Sequence, residues 1–358
     1  MTSDPVRYEI RAATRSDEED VLELARHLDS VNLPNDRATI DEILTHSEAS
    51  FSEEIGDPRR RTYVFVLRDL VEKRAVGTSM VISQLGRRDA PYIYFDVSVE
   101  ERYSATLDRH FAHQVLSIGY SYNGPTEIGG LVVHPEARRS PDRLGMLISY
   151  VRFLWIAMHR ADFQDRLLAE LLPPLEADGT SHLWEAVGRK FTDLSYREAD
   201  RLSKRNKEFI RGLFPDGEIY VSLLSPQAQA VVGKVGPQTR GVEKLLRRIG
   251  FRYWDRVDPF DGGPHFVAAT EDVLLVQRSR KMRLSTATWV PGAKSERALL
   301  AVETEVAPWF RSVPTQMAIA SDAPGEVLVP PESRDFLGIS AGDEVWVLPL
   351  DTKSTDRR

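Results

Sequence analysis

The chain has no cysteine among its 358 residues. Disulfides, thiol nucleophiles and thiolate metal sites are thereby excluded. Long apolar runs are missing too, since none approaches the ~18 residues of a membrane-spanning helix. The opening segment MTSDPVRYEI lacks the basic and apolar regions of a secretory signal. Membrane association is therefore not expected, and a cytoplasmic location is. Positive charge is in deficit, with a formal net charge of −7. General nucleic-acid binding depends on neutralising phosphates, so this balance argues against it. The eight histidines are scattered without HExxH or comparable spacing, and no metal site is expected.

The chain is long enough for a large core and for more than one domain. Its 42% hydrophobic and 28% charged residues place it among globular proteins. Basic residues gather locally, at Arg138/Arg139/Arg143 and Lys244/Arg247/Arg248. A compact polyphosphate needs only such a patch.

The stretch from Glu127 to Arg160 is the most informative. Glu127 to Val133 is rich in Ile, Leu and Val and reads as a strand. The polar turn HPEARRSPDR follows, with three arginines and two prolines. From Leu144 to Arg160 the recurrence of Leu147, Val151, Leu154 and Met158 predicts a helix. Met146, Phe153 and Ile156 occupy its other faces, so it is expected to be buried on most sides. Unpaired amides at a helix start, next to arginines, make an anion site.

Elsewhere, residues 8–13 read as a strand. Ser16 and Glu19 have capping-box spacing before a helix with the stripe Val21, Leu24, Ala25 and Leu28. A second helix carries Ile40, Ile43 and Leu44. Thr62 to Leu67 and Ala75 to Ile82 form an antiparallel pair, and residues 91–99 another strand. Arg166 to Leu172, Glu218 to Leu224 and Phe251 to Val257 also read as strands. Helices are expected at Leu183 to Lys190, near 209–214 and 225–233, and at Gly241 to Ile249, where Gly250 terminates. This mixed order argues against alternating strand and helix in a doubly wound fold. After about residue 267 the pattern turns to short apolar runs, VLLVQ, ATWV, MAIA, EVLVP and EVWVLPL, and then a frayed tail.

Many segments match one family in order and spacing. They include TYVFVLRD (62–69), EIGGLVVHP (127–135), LISYVRFLWIAMHR (147–160), AEL (169–171) and DGTSHLWEAVGRKFTDLSYREAD (178–200). KEFIRGLFP (207–215), IYVSLLSPQAQAVVGKVGPQT (219–239) and GFRYWDRVDPFDGGP (250–264) continue the series. The chain thus resembles the arginine N-succinyltransferase family over about residues 10–266, with a looser match beyond. That resemblance implies an α+β fold with a GNAT-like acyltransferase mixed sheet flanked by helices, in residues 1–266. A small all-β domain is expected in residues 267–358. The implied reaction moves a succinyl group from succinyl-CoA to the α-amino group of L-arginine, the entry step of arginine degradation. No permanently bound cofactor is implied, since succinyl-CoA serves as co-substrate.

The resemblance also assigns residues. Leu131 falls on the family's succinyl-CoA position, with Gly129, Gly130 and Val133 on the same strand. Arg138, Arg139, Arg143 and Gly145 belong to the turn expected to hold the phosphates. That turn departs from the family's pattern, because it is longer and keeps only its last glycine. A second departure concerns proton transfer. Where the family has a proton-donor histidine in Val-His-Pro-Gln-Thr, this chain reads Val235-Gly236-Pro237-Gln238-Thr239. Gly236 has no side chain, so His134, His182 and His265 become candidate substitutes. Glu170 and Glu185 are candidates to hold the guanidinium or act as base. Three readings follow. One is the family reaction, one the same fold with another amine or acyl-CoA, and one a catalytically weak partner of a homologous subunit. The family includes paired-subunit enzymes, so a homo- or hetero-oligomer is expected.

Overall fold

The computed structural model describes residues 5–27, 32–87, 90–176, 178–203, 206–290, 295–320 and 323–350. Leu28 and the tail at 351–358, both assigned above, lie outside the described residues. The strands in chain order are β1 (Tyr8–Ala12), β2 (Thr62–Asp69), β3 (Arg74–Ile82), β4 (Tyr92–Ser104) and β5 (Arg109–Ser121). Next come β6 (Thr126–Val133), β7 (Arg166–Glu170), β8 (Ile219–Tyr220), β9 (Arg252–Val257) and β10 (Pro264–Ala269). The last are β11 (Arg280–Leu284), β12 (Glu296–Glu303), β13 (Phe310–Ala320), β14 (Ala323–Leu328) and β15 (Glu344–Pro349). Three helices matter most: α1 (Glu18–Ala25), α2 (Arg37–Phe51) and α3 (Leu144–Met158).

The chain divides into two compact units, each made of separated segments. Residues 1–83, 128–163 and 274–358 make the first. Its strands run in the order β12-β15-β11-β14-β13-β1-β2-β3, with β6 beyond β3. The C-terminal strands join the N-terminal ones through β1 and β13, which pair antiparallel at Ile10↔Ser312. Alternation in β2 accounts for its two-sided burial. Val64 and Val66 pack with Val21, Leu24, Ile40 and Leu44 of α1 and α2. Tyr63 and Phe65, pointing the other way, meet Trp155 of α3 at 5.2 and 6.2 Å between ring centres. Leu147, Ile148, Val151, Phe153, Leu154 and Ile156 of α3 are fully buried, as the all-round apolar pattern predicts. Each such side chain contributes about 1.5–3 kcal/mol of burial.

Residues 84–127 and 164–273 make the second unit. Its strand order is β7-β10-β9-β4-β5-β8, and Thr126 and Glu127, the first residues of β6, pair parallel with Leu167 and Leu168 of β7. The core gathers on one face around Trp184, which is fully buried and stacks on Phe260 at 5.0 Å.

Several local expectations are corrected. The capping box is Thr14 with Asp17, not Ser16 with Glu19, and it opens a 3-10 turn before α1. Asp17 wins because its carboxylate also takes Arg11 and Arg68, a tertiary gain the spacing does not reveal. Strand β8 is two residues long and gives way to a 3-10 turn at Val221–Leu223. VLLVQ is mostly helix, Leu274–Arg278, and ATWV forms no strand. A short apolar run carries no period long enough to separate helix from strand. The helix expected at Leu183 to Lys190 is two short ones, His182–Ala186 and Gly188–Thr192, divided at Val187. Strand β5, polar at its tip, was not among the expected strands.

Candidate functional site

Two groups of residues stand out, one in each unit. In the first unit β6 bends at Gly130, whose φ is +55°. A Cβ there would also sit 2.8 Å from Met80 Cγ, so both the backbone conformation and the close approach favour glycine. Behind the strand, the buried Arg152 of α3 donates to the Ser149 carbonyl and hydroxyl oxygens and, at 3.4 Å, to the Gly129 carbonyl oxygen. Leu131 is half-buried. The Val133 carbonyl accepts from Arg138 Nε at 2.9 Å, which ties that arginine back onto the strand end.

Arg138 and Arg139 lie on a 3-10 turn, Pro135–Arg139, and both are exposed. Arg143 stands at the N-cap of α3 in the left-handed region, φ 57°, and makes no side-chain cap. The Met146 and Leu147 amides fold back to its carbonyl, and those of Leu144 and Gly145 open the helix ahead of them. A Cβ on Gly145 would meet only Val133 Cγ2, at an ordinary 3.7 Å, so packing does not dictate this glycine. The positive helix end and the exposed guanidiniums of Arg139 and Arg143, neither tied to the strand as Arg138 is, together suit a phosphate.

The sequence candidates for proton transfer separate. His134 is buried in the first unit, with its ring 3.4 Å from Glu23 and 3.6 Å from Glu136. His182, in the second unit, pairs with Glu176 at 2.7 Å. Glu185 is taken by Arg189, one helical turn on. Glu170 and His265, by contrast, are register partners across β7 and β10.

Glu170 ends β7 with about a third of its side chain open to solvent. His265 is fully buried, and its Nε2 lies 3.5 Å from Glu170 Oε1 with no hydrogen-bond partner. Its Nδ1 meets the Tyr92 hydroxyl of β4 at 2.6 Å. A bulge re-aims this histidine. Between the pairs Pro264↔Val257 and Phe266↔Tyr253, three residues of β9, Trp254, Asp255 and Arg256, stand opposite His265 alone. Arg256 covers Tyr94 at 3.6 Å.

Carboxylates crowd the same corner. Burial first, then Glu127, Asp258 and Asp261, push the Glu170 carboxyl well above its usual range. Asp261 is raised by burial and by Asp258. Burial, with Arg256 and Lys207, lowers the His265 imidazole to about 3, so it is neutral at physiological pH. Glu170, Asp258 and His265 each place one ligand-type atom within 4.8 Å of the others, a spacing that suits a cation. Asp258 Oδ1 already accepts the Phe260 and Asp261 amides and so helps shape a turn.

Gly236 belongs to this corner too. Its amide donates to the Leu172 carbonyl at 2.8 Å, as does the Thr239 hydroxyl at 3.0 Å. The Leu171 amide reaches the Pro264 carbonyl, and the Gly233 amide that of Gly262. The loop around Gly236 is thereby laced to the ends of β7 and β10, next to Glu170 and His265. A cleft of about 530 Å³ opens nearby, with Tyr253 and Phe266 in its lining and Lys234, Arg240, Lys244 and Arg247 supplying positive charge. Lys244 and Arg247 belong to the second basic cluster of the sequence.

Sequence reasoning missed Tyr92, Asp258 and Asp261. The DPFDGGP turn was visible as a matching segment, but nothing local says that its two aspartates converge on Glu170. Comparison with known proteins bears on the whole chain. Residues 8–275 match the family model described as "Arginine N-succinyltransferase beta subunit". An arginine N-succinyltransferase of Yersinia pestis is 30% identical over 362 aligned residues, covering 97% of this chain and 99% of that one. The arginine N-succinyltransferase subunit beta of Pseudomonas aeruginosa is 31% identical, over 95% of this chain and 98% of its own. Among solved structures, arginine/ornithine succinyltransferase subunit AI from Pseudomonas aeruginosa superposes with a TM-score of 0.79 at 27% identity. That match covers 97% of this chain and all of the other, so the α+β, GNAT-like architecture expected from the resemblance is the one the chain adopts. The chain belongs to the arginine N-succinyltransferase family.

Proposed function

We propose that the protein transfers a succinyl group from succinyl-CoA to the α-amino group of L-arginine. One observation carries this reading: relatives bearing that name align along 97% of the chain, well beyond any single motif. On the donor side, the thioester arm lies along Gly129 to Val133, with Leu131 engaged through its backbone. The phosphates sit on the amides that open α3, with Arg139 and Arg143 as their cations. Replacing both arginines by alanine is expected to raise KM for succinyl-CoA about tenfold, the loss of roughly one charge-assisted hydrogen bond. Initial rates at varied succinyl-CoA check this, and an unchanged KM would remove the arginines from the donor site.

On the acceptor side, Glu170, Glu127, Asp258 and Asp261 hold the cationic amine, and Glu170 is its general base. The role first given to His134 and His182 as well falls to Glu170 alone in this reading, because Glu170 is the one of the three set among Glu127, Asp258 and Asp261, while His182 is paired with Glu176. The test follows free thiol released from succinyl-CoA with arginine, ornithine and simple monoamines. Turnover with the dibasic amino acids well above the monoamines is expected. CoA binding without turnover on any amine would favour the alternative, a partner chain of a homologous active subunit. Turnover with acetyl-CoA alone would overturn only the donor.

A further inference from the structure

Position 236 offers no group that exchanges a proton, and the loop that carries it is hydrogen-bonded to Leu172, two residues past Glu170. Beside that loop, His265 is held from one side and aims an unpartnered, fully buried Nε2 at Glu170. We propose that His265, anchored by Tyr92, is the positioning residue that controls the proton on Glu170 and so makes up for the missing side chain at Gly236. The inference rests on the reading of Glu170 as general base.

The tautomer follows from the neighbours. Burial and Glu170 raise the Tyr92 phenol far beyond its ordinary range, so it stays protonated and donates to His265 Nδ1. The imidazole proton then sits on Nε2 and faces the Glu170 carboxylate. That N–H, 3.5 Å from Glu170 Oε1, is opposite in sign to the repulsion from Glu127 on β6 and from Asp258 and Asp261 on the DPFDGGP turn. Lys207, just before the helix Glu208–Leu213, acts in the same sense. Burial first, then the charges of Arg256 and Lys207, keep the imidazole itself neutral.

The proton count closes. The acceptor ammonium gives one proton to Glu170, which releases it to solvent through its open side. The neutral amine forms the C–N bond to the thioester carbonyl, and the C–S bond breaks. The second nitrogen proton passes by way of Glu170 to the departing sulfur, which leaves as the thiol. His265 touches Glu170 and not the substrate, and it stays neutral throughout.

The experiment compares the pH profile of kcat/KM in wild type, His265→Ala, His265→Gln and Tyr92→Phe. The same proteins, with glutamate labelled at the carboxyl carbon, are titrated by NMR to read Glu170 directly. Losing the Nε2 N–H, or freeing the other tautomer, moves the acidic limb and the Glu170 titration upward by about one pH unit, the size of one close polar interaction with the charged form. His265→Gln keeps an N–H donor and holds near the wild-type limb. An unmoved titration in both His265→Ala and Tyr92→Phe would overturn the proposal, even if rates fall. Should wild type turn over no amine, the acyltransferase reading fails, and the NMR titration still decides whether His265 governs Glu170. Should His265→Ala not fold, Tyr92→Phe carries the test.

Discussion

Glu170→Gln lowers kcat about 100- to 10,000-fold, the range of general acid–base assistance, while the protein becomes more heat-stable. Both effects have one cause. The carboxylate is forced into a corner with Asp258, Asp261 and Glu127, which raises its proton affinity well above that of a free glutamate. A base of raised pKa takes a proton from an ammonium readily, and glutamine cannot do so. The sign on stability follows from linkage. With the folded-state value above the unfolded value of about 4.5, the group's contribution is complete below the unfolded value. It is lost as pH climbs through the folded one. Glutamine never ionises, so the gain in Tm appears at neutral pH and vanishes near pH 4. The measurements are kcat by thiol release and Tm at several pH values. A variant that keeps wild-type kcat removes Glu170 from the chemistry, and one that loses Tm at pH 7 shows the carboxylate to be structurally favourable.

Gly236→His, the substitution that would recreate the family motif, is expected to destabilise without raising activity. A Cβ at 236 would stand 2.5 Å from the Pro173 carbonyl oxygen and 2.8 Å from that of Leu172. Neither is the end of a flexible side chain. Both belong to the backbone that the Gly236 amide and Thr239 hydroxyl already grip. Overpacking of this kind costs about 1–3 kcal/mol and sometimes more, which corresponds to a drop of several degrees in Tm. The shift also disturbs the segment leading from Glu170, so kcat falls with it. Thermal unfolding and thiol release give the answer. A stable variant with higher kcat would mean that the loop still has room for the family's side chain, and that His265 is not its substitute.

The strand and helix on either side of the basic turn were legible because their signals are local. The four- and three-residue steps of α3 read correctly, and its all-round burial followed from apolar residues on every face. Gly130 was named on this strand, but its positive φ was not read from the sequence. Where the period was short the reading failed: VLLVQ, five apolar or neutral residues, became a helix. Equally hidden was the pairing of β1 with β13, whose partners Ile10 and Ser312 lie near opposite ends of the chain. Glu170 and His265 were each named as candidates, yet nothing in the sequence placed one beside the other.

The sequence by itself determined that the chain carries a strand, a basic turn and a buried helix suited to an anion, and that position 236 has no proton to give. Periodicity, glycine's conformational range and the side-chain inventory act over a few residues and survive without the fold. Only the tertiary structure brought the candidates for proton chemistry together. Tyr92 and His265 meet across 173 positions of sequence, through the registers of three strands and one bulge in β9. Register and burial are set by how whole sheets pack, and they alone turn a scattered tyrosine, histidine and glutamate into one connected group.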